Sequence, residues 1–250
     1  MTDHTGTRHL LLLHGMGATG DVWLPGAPLL ERRWPGRWLA PDLAGHGFSP
    51  PLSGYSFAGL AGRVAEELGP AADGSRPGER LVILGHSLGG VVALALAARD
   101  AGLPVDAVVG LGIKAVWSPA ELVKARELAQ RPVTWFAGRD EAARRYLKVA
   151  GLTGLFAPDH PVVDAGLRVE DGRWRLAMDP AAFAVGAPDL AALLAATDVP
   201  VVLARGEHDP MVSETQLAAY GVPVVTLPGL GHNAHVEDPA AVLGLLDPYL

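Results

Sequence analysis

The stretch LVILGHSLGGVVALALAA, residues 81–98, decides the fold of this 250-residue chain. The continuous apolar run at 81–84 is typical of a strand buried on both faces of a parallel sheet, and the Ala- and Val-rich run that follows is typical of a buried helix. Between them, Gly85 and Gly89 flank Ser87 in a Gly-x-Ser-x-Gly pattern. This context predicts a sharp strand-to-helix turn with an exposed serine hydroxyl, against the alternative of a glycine-rich turn with a bystander serine.

Short apolar runs alternate with Ala-rich stretches on both sides of this turn. Such alternation predicts the α/β class, with an open, mostly parallel sheet of about six strands and helices on both faces. The predicted strands are residues 9–13, 38–41, 81–84, 107–110, 199–204 and 222–227. The predicted helices are residues 28–33, 57–68, 88–101, 188–196, 214–219 and 239–250.

Residues 114–186 interrupt the alternation, because they contain no convincing buried strand. Two helical patterns, at 120–130 and 141–149, precede a hairpin pattern at 168–176 whose Asp-Gly turn suits type I′ geometry. About 70 residues are too many for a loop in a compact domain. We therefore predict a core of residues 1–113 and 187–250, with a cap, or lid, inserted at 114–186.

Composition argues against several classes of function. The chain has 27 acidic and 20 basic side chains, and its net charge of −7 disfavours a nucleic-acid partner. The absence of cysteine excludes disulfides, thiolate catalysis and cysteine-based zinc sites. The apolar run at 10–13 is too short for a signal-peptide core, and no run is long enough to span a membrane. We expect a cytoplasmic protein with no membrane partner.

A serine nucleophile needs a neighbouring base, and the base needs an orienting carboxylate. Two segments that follow predicted strands offer them: RGEHDP at 205–210 and GLGHN at 229–233. Both fall at strand C-terminal ends, the edge of an open α/β sheet where sites form. We expect Asp209 to orient His232, and His232 to activate Ser87.

Other assignments of the acid and the base stay open. Glu207 is the alternative acid, and His235 or His208 is the alternative base. Residues 207–209 could also be considered as metal ligands, but they lack helical i, i+4 spacing and a partner cluster. We expect no metal site.

The loop His14-Gly15-Met16-Gly17 follows the first predicted strand. Acyl transfer needs two backbone N–H groups aimed at the developing oxyanion, and Met16 and Leu88 are the best candidates to supply them. The glycines at 15, 17 and 20 also satisfy the G-x-G-x-x-G pattern, and Asp42 is placed to act as a ribose ligand. A dinucleotide site is therefore an alternative, although it would leave Ser87 without a role.

Five motifs occur in order along nearly the whole chain: HGMG at 14–17, DLAGHGFS at 42–49, GHSLGG at 85–90, GEHD at 206–209 and GLGHNAHVEDP at 229–239. Together they resemble the α/β-hydrolase family. The resemblance implies a catalytic triad of Ser87, Asp209 and His232, and an oxyanion hole formed by Met16 and Leu88. It also implies that residues 114–186 form a mobile cap. Serine at position 87 points away from the members that use an aspartate nucleophile, namely epoxide hydrolases and dehalogenases.

The resemblance also bears on residues without a catalytic role and on the N-terminus. Asp42, Gly45 and His46 match a motif that stabilises a loop, so no catalysis is assigned to them. Family members usually carry an antiparallel strand pair ahead of the HG loop, but only 13 residues precede His14. We predict that this hairpin is shortened or absent. The exposed sheet edge could then be covered by a second copy of the chain, which leaves a homo-oligomer open.

The residues of the predicted cap indicate the class of substrate. We predict that a subset of its aromatic side chains lines an apolar pocket, although each could instead belong to the cap's own core. The candidates are Trp117, Trp135, Phe136, Tyr146 and Phe156. Lys114 and Arg139 could meet a carboxylate, but surface positions are expected for both.

We therefore expect a cofactor-free serine hydrolase that cleaves a small to medium, largely apolar carboxylic ester through an acyl-enzyme. Lactone, thioester or C–C bond hydrolysis and acyl transfer on the same triad stay open. A ligand-sensing protein with slow turnover is the alternative from another class.

Overall fold

The computed structural model describes residues 8–69, 80–98 and 103–250. Its strands are β1 (Arg8–Leu13), β2 (Arg37–Leu39), β3 (Arg80–His86), β4 (Val105–Leu111), β5 (Leu167–Glu170), β6 (Arg173–Leu176), β7 (Val201–Gly206) and β8 (Val224–Leu227). Six of them form one parallel sheet in the order β2-β1-β3-β4-β7-β8, while β5 and β6 form a separate antiparallel hairpin. The predicted fold class is confirmed. The predicted shortening of the N-terminal hairpin concerns residues 1–7, which lie outside the described residues.

The helices are α1 (Ala27–Arg33), α2 (Phe57–Leu68), α3 (Leu88–Ala97), α4 (Pro119–Ala129), α5 (Arg139–Val149), α6 (Pro161–Asp164), α7 (Leu190–Ala195), α8 (Glu214–Ala218), α9 (Ala234–Glu237) and α10 (Pro239–Leu243). Short 3₁₀ helices lie at Gly20–Gly26, Pro180–Val185 and Gly244–Tyr249. The helix predicted at 239–250 is thus divided, because the ring of Pro248 cannot be placed against the carbonyl of residue 244 in a continuous α-helix. The last residues of the helix predicted at 88–101 lie outside the described range.

Strand β1 shows why the sheet is buried on both faces. Successive strand side chains point to opposite faces, and all four leucines from Leu10 to Leu13 are buried. Leu10 and Leu12 pack into one hydrophobic cluster, whereas Leu11 and Leu13 pack into the other. Helices therefore cover both faces, and the carboxyl ends of the strands are left to carry the loops of the site.

The segment between β4 and α7 divides into two parts with different packing. In α5, Tyr146 and Leu147 belong to the same hydrophobic cluster as Leu10 and Leu12 of the central sheet. Helix α4, in contrast, buries none of its residues and packs against the 3₁₀ helix Pro180–Val185. Helix α4 is therefore covered only in part.

The hairpin β5–β6 turns as its sequence predicts. Asp171 and Gly172 have φ angles of 50° and 73°, both positive as a type I′ turn requires. In the described part of the chain, no helix has the length and apolar character needed to cross a membrane.

Candidate active site

Ser87 lies at the junction of β3 and α3 with a backbone that non-glycine residues rarely adopt. Its φ and ψ angles are 51° and −113°. The Ser87 N–H donates to the carbonyl of Leu111 at 2.7 Å, and its own carbonyl accepts from Gly90 at 3.1 Å. Such backbone strain persists only where the surroundings impose it, and it is concentrated at functional sites.

The two glycines of the Gly-x-Ser-x-Gly pattern are required by close backbone approach. A Cβ atom at Gly85 would lie 2.3 Å from the carbonyl oxygen of Gly89, and one at Gly89 would lie 2.3 Å from that of Leu13. Both contacts are to backbone atoms, which cannot rotate away. The turn therefore depends on glycine at both positions.

Asp209 and His232 form a hydrogen-bonded pair at the ends of β7 and β8. The Nδ1–H of His232 donates to Oδ2 of Asp209 at 2.9 Å, and the Asp209 side chain is fully buried. The other carboxylate oxygen accepts the N–H of Met211 at 2.8 Å. Because Nδ1 carries the proton toward Asp209, Nε2 of the neutral ring is free to act as a base.

Ser87 and His232 line the same cavity. The described residues show no hydrogen bond between the serine hydroxyl and the imidazole. Such catalytic hydrogen bonds are often long or poorly aligned before substrate binds. The structure thus brings Ser87, Asp209 and His232 together in one place.

The alternative acid and the alternative bases are not among the residues that line this cavity. Glu207 is exposed, and its carboxylate accepts the N–H of Gly229 at 2.8 Å. His208 is exposed as well. His235 is buried behind the site and lies against the ring of Trp23. The described residues contain no group of three or more histidine or carboxylate side chains arranged to hold a metal ion.

His86, which sequence reasoning did not single out, supports the backbone of His232. Its Nε2–H donates to the His232 carbonyl at 2.9 Å, and its ring stacks 4.3 Å from that of His235. Burial, followed by the neighbouring His235 and His232, lowers the pKa of His86 well below its usual value. A neutral ring therefore lies behind the loop that carries His232. The pattern Gly-x-Ser-x-Gly gives no signal for this role, because it leaves position 86 unspecified.

Two backbone N–H groups beside Ser87 are the predicted donors to an oxyanion. Met16 and Leu88 both line the cavity beside Ser87. Leu88 is the first residue of α3, where N–H groups lack partners within the helix. In the described chain, neither N–H takes part in a turn, loop or cap hydrogen bond. Both are thus free to meet a developing negative charge.

The loop that carries Met16 is held by His14. Its Nε2 accepts the N–H of Leu43 at 2.8 Å, so Nδ1 carries the proton that is donated to the Gly15 carbonyl at 2.8 Å. Burial lowers the pKa of His14 to about 4, because the charged form would lose its hydration.

The glycines and the aspartate of the dinucleotide alternative have structural explanations. Asp42 accepts the N–H groups of Gly20 at 2.9 Å and Phe48 at 2.8 Å, so both its oxygens are engaged by backbone. A Cβ atom at Gly20 would lie 1.9 Å from the Ala40 carbonyl oxygen. Asp42 therefore organises a loop and is not presented to a ribose.

The cavity at Ser87 has a volume of about 390 Å³ and a largely apolar lining. Trp117, among the predicted pocket residues, lines it. Sequence reasoning missed Phe57, Phe183 and Met211, which also line it but come from outside the predicted cap or from its last residues. Their type and spacing gave no signal, because only the assembled fold brings these separate loops together.

Four other predicted pocket residues require correction, because they do not line this cavity. Tyr146 is buried in the core cluster. Phe136 pairs through its backbone with Trp174, and Phe156 packs its ring 4.4 Å from that of His160. Trp135 lies under the guanidinium of Arg173 at 4.8 Å. Contacts with other residues, and not with the cavity, therefore account for the positions of these four aromatic rings.

Lys114 and Arg139 differ from each other in the structure. Arg139 pairs with Asp164 near the surface, as expected. Lys114 lines the cavity and exposes only 14% of its side chain, contrary to the expected surface position. Its ammonium lies 4.9 Å from the centre of the Trp117 ring.

The alpha/beta hydrolase family model matches residues 10–245. This chain belongs to the α/β-hydrolase family. It is 33% identical over 242 residues to 2-succinyl-6-hydroxy-2,4-cyclohexadiene-1-carboxylate synthase from Yersinia pseudotuberculosis, which covers 93% of this chain and 83% of the relative.

Solved structures show the same fold for this α/β-hydrolase. E-2-(acetamidomethylene)succinate hydrolase is similar with a TM-score of 0.75 at 23% identity, covering 97% of this chain and 91% of that one. An esterase from Mycobacterium tuberculosis is similar with a TM-score of 0.71 at 24% identity, covering 96% and 83%.

Proposed function

We propose that this α/β-hydrolase cleaves a small to medium carboxylic ester through an acyl-enzyme on Ser87. The observation that carries the proposal is the buried Asp209–His232 hydrogen bond, which lies at the same cavity as a serine in a left-handed backbone conformation. A carboxylate that fixes the imidazole tautomer beside a serine is the arrangement that serine nucleophiles need. Family membership supports the proposal.

In the first half of the proposed reaction, Ser87 Oγ attacks the ester carbonyl while Nε2 of His232 takes the hydroxyl proton. The N–H groups of Met16 and Leu88 stabilise the oxyanion. The intermediate then collapses, and the C–O bond to the alcohol breaks. His232 returns the proton to the departing alkoxide.

In the second half, water loses a proton to His232 and attacks the acyl-enzyme carbonyl. The bond to Ser87 Oγ breaks, the serine regains its proton from His232, and the carboxylic acid leaves. The Asp209 carboxylate stabilises the imidazolium in both steps. A cavity of about 390 Å³ lies near the lower end of the usual range for small-molecule sites.

The proposal is tested by steady-state hydrolysis of p-nitrophenyl butyrate by the wild type and Ser87→Ala. We expect kcat/KM to fall at least about 10³-fold, because the variant lacks the nucleophile. Ser53→Ala is the matched control, since Ser53 is exposed and lies outside the cavity lining. Equal rates for the wild type and Ser87→Ala would overturn the serine mechanism.

A second candidate is the reaction of the Yersinia relative, which the 33% identity over most of the chain favours. The name of that product includes a succinyl group and a ring carboxylate. The described cavity lining offers Lys114 and Lys124, opposed by Glu121, and contains no arginine. If this candidate is correct, the wild type forms the named product from the substrate of that relative faster than it hydrolyses aryl esters.

A further inference from the structure

We propose that Lys114 binds a carboxylate of the substrate, so that this enzyme prefers esters whose acyl chain ends in a carboxylate. The inference rests on the proposed function, because it places the ester carbonyl at Ser87. It assigns the substrate class to half-esters of short dicarboxylic acids. Lys114 is suited to this role by its position, its burial and its unused hydrogen-bond donors.

Lys114 lies a short length of chain from the nucleophile. The N–H of Ser87 donates to the Leu111 carbonyl at 2.7 Å, and Lys114 follows three residues later. Three residues span at most about 10 Å. The intervening Gly112 is in contact range of the pair, since a Cβ atom there would lie 3.3 Å from both Asp209 Oδ2 and the His232 ring. The chain therefore runs from the nucleophile past the base to Lys114.

The Lys114 side chain is largely covered yet incompletely bonded. It exposes 14% of its surface, and its ammonium lies 4.9 Å from the centre of the Trp117 ring. Glu121 is its hydrogen-bond acceptor in the described chain. An ammonium has three N–H donors, so two have no acceptor among the described residues. A charge that is covered by an apolar wall is unfavourable unless it is paired. The few polar groups of an apolar cavity commonly orient the ligand.

Glu121 does not remove the need for a second acceptor. Its Oε2 is held by the backbone N–H and hydroxyl of Ser118, both at 2.9 Å, while Oε1 takes Lys114. Lys114, followed by Ser118, lowers the pKa of Glu121 to about 2, so the carboxylate stays charged. It is also 45% exposed, so water screens its pairing with Lys114. A substrate carboxylate can therefore join Lys114 without displacing Glu121.

The other lysine of the lining is a weaker candidate. Lys124 exposes 59% of its side chain and pairs with Glu127 on the solvent side of α4. A carboxylate bound there would compete with water, whereas one at Lys114 would meet a donor that is already shielded. An acyl chain with its carbonyl at Ser87 and a terminal carboxylate at Lys114 would use two polar groups of the same cavity.

The test compares two esters of equal chain length, p-nitrophenyl hydrogen glutarate and p-nitrophenyl pentanoate. The measured quantity is the ratio of their kcat/KM values, anionic over neutral. We expect Lys114→Met to lower this ratio about tenfold or more, mainly through the KM of the anionic ester, because a charge-assisted hydrogen bond is lost. Lys114→Arg should retain most of the ratio, since it keeps a cation at this position.

Lys148→Met is the matched control. Lys148 is exposed on α5 and is absent from the cavity lining, so its loss should leave the ratio within twofold of the wild type. A second variant acts in the opposite direction. Glu121→Gln keeps a residue suited to the third helical position of the capping box but removes the competing negative charge, so the ratio should rise.

A binding measurement separates this inference from the proposed function. Ser87→Ala protein is titrated calorimetrically with monomethyl glutarate, which is anionic, and with methyl pentanoate, which is neutral; neither measurement needs turnover. Tighter binding of monomethyl glutarate, lost in Ser87→Ala/Lys114→Met, supports the subsite even if neither aryl ester is hydrolysed. Equal binding of the two methyl esters, or a kinetic ratio that Lys114→Met and Lys148→Met leave alike, would overturn it.

Discussion

At the scale of single residues, the site depends on backbone geometry as much as on reactive groups. Ser87 has a φ angle of 51°, and the glycines on either side of it leave no room for a Cβ atom. The sequence pattern was sufficient to predict this turn, because a strand, two glycines and a helix allow few other local conformations. It was also sufficient to predict the positions of Asp209 and His232 at strand ends.

The close approach at Gly89 gives a stability prediction. In Gly89→Ala, the added Cβ would meet the Leu13 carbonyl oxygen at 2.3 Å, so β1 and α3 must separate. We expect the free energy of unfolding, measured by urea denaturation, to fall by about 3 kcal/mol, with loss of ester hydrolysis. Gly54→Ala is the control, since nothing lies within 4 Å of its added atom. An unchanged midpoint for Gly89→Ala would contradict the packing described for the turn.

Other residue roles could not be predicted. His86 acts through a hydrogen bond to the His232 carbonyl, a contact between positions 146 residues apart. Lys114 was expected at the surface, because sequence cannot show how much of a side chain the folded chain covers. Tertiary contacts of this kind leave no local pattern.

At the scale of elements, alternating runs predicted the strands of the sheet within a few residues. The same reasoning failed to assign the aromatic residues of the inserted segment. Helical spacing shows that Tyr146 of α5 lies on an apolar face, but not whether that face meets substrate or the central sheet. In the structure, the sheet buries Tyr146, and the exposed helix α4 contributes Ala125 and Leu128 to the cavity.

Helix α4 depends on its capping box more than a buried helix would. Ser118 accepts the N–H of Glu121, and no residue of α4 is buried. We expect Ser118→Ala to weaken the helix by about 1 kcal/mol, which corresponds to about fivefold faster amide hydrogen exchange in residues 119–129. Hydrogen-exchange mass spectrometry measures this rate.

Ser213→Ala removes a second capping box, at the start of α8. It should accelerate exchange in α8 and leave α4 unaffected. If exchange in α4 were the same in Ser118→Ala and the wild type, tertiary contacts rather than the cap would have to hold this helix.

At the scale of the whole molecule, several histidines are buried in neutral form around the site. Burial lowers the pKa of His14 to about 4. The pKa values of His46 and His235 are each lowered to about 3, and burial is again the largest cause. The usual value is 6.5. The unfolded chain therefore binds more protons than the folded one as the pH falls below about 6.5, so stability decreases with acidification.

Each such histidine costs about 2 kcal/mol of stability between pH 6.5 and pH 5. We expect the free energy of unfolding to fall steeply over this range, and His46→Gln to reduce the fall by about 2 kcal/mol. Urea denaturation at pH 7.5 and pH 5.0 measures both values. His208→Gln is the control, because His208 is exposed. If the free energy of unfolding fell by the same amount in His46→Gln and in the wild type, His46 would not titrate in this way.

The parallel sheet could be predicted from the alternation of apolar and Ala-rich runs, because such alternation implies parallel strands joined by helices. The family could be predicted from the order of five motifs. The substrate could not, since the fold hosts many chemistries and the cavity is assembled from distant loops. The division into core and cap stays a prediction, although the packing of α5 onto the central sheet and the exposure of α4 bear on how such a cap would move.

The proposed mechanism requires Ser87 to form a covalent acyl-enzyme. The most direct measurement is mass spectrometry of the protein after reaction with a fluorophosphonate, followed by peptide mapping of the modified residue. We expect one adduct per chain, on the peptide that contains Ser87, and strongly slowed labelling in His232→Ala. Labelling of another residue, or equal labelling of Ser87→Ala and the wild type, would contradict it.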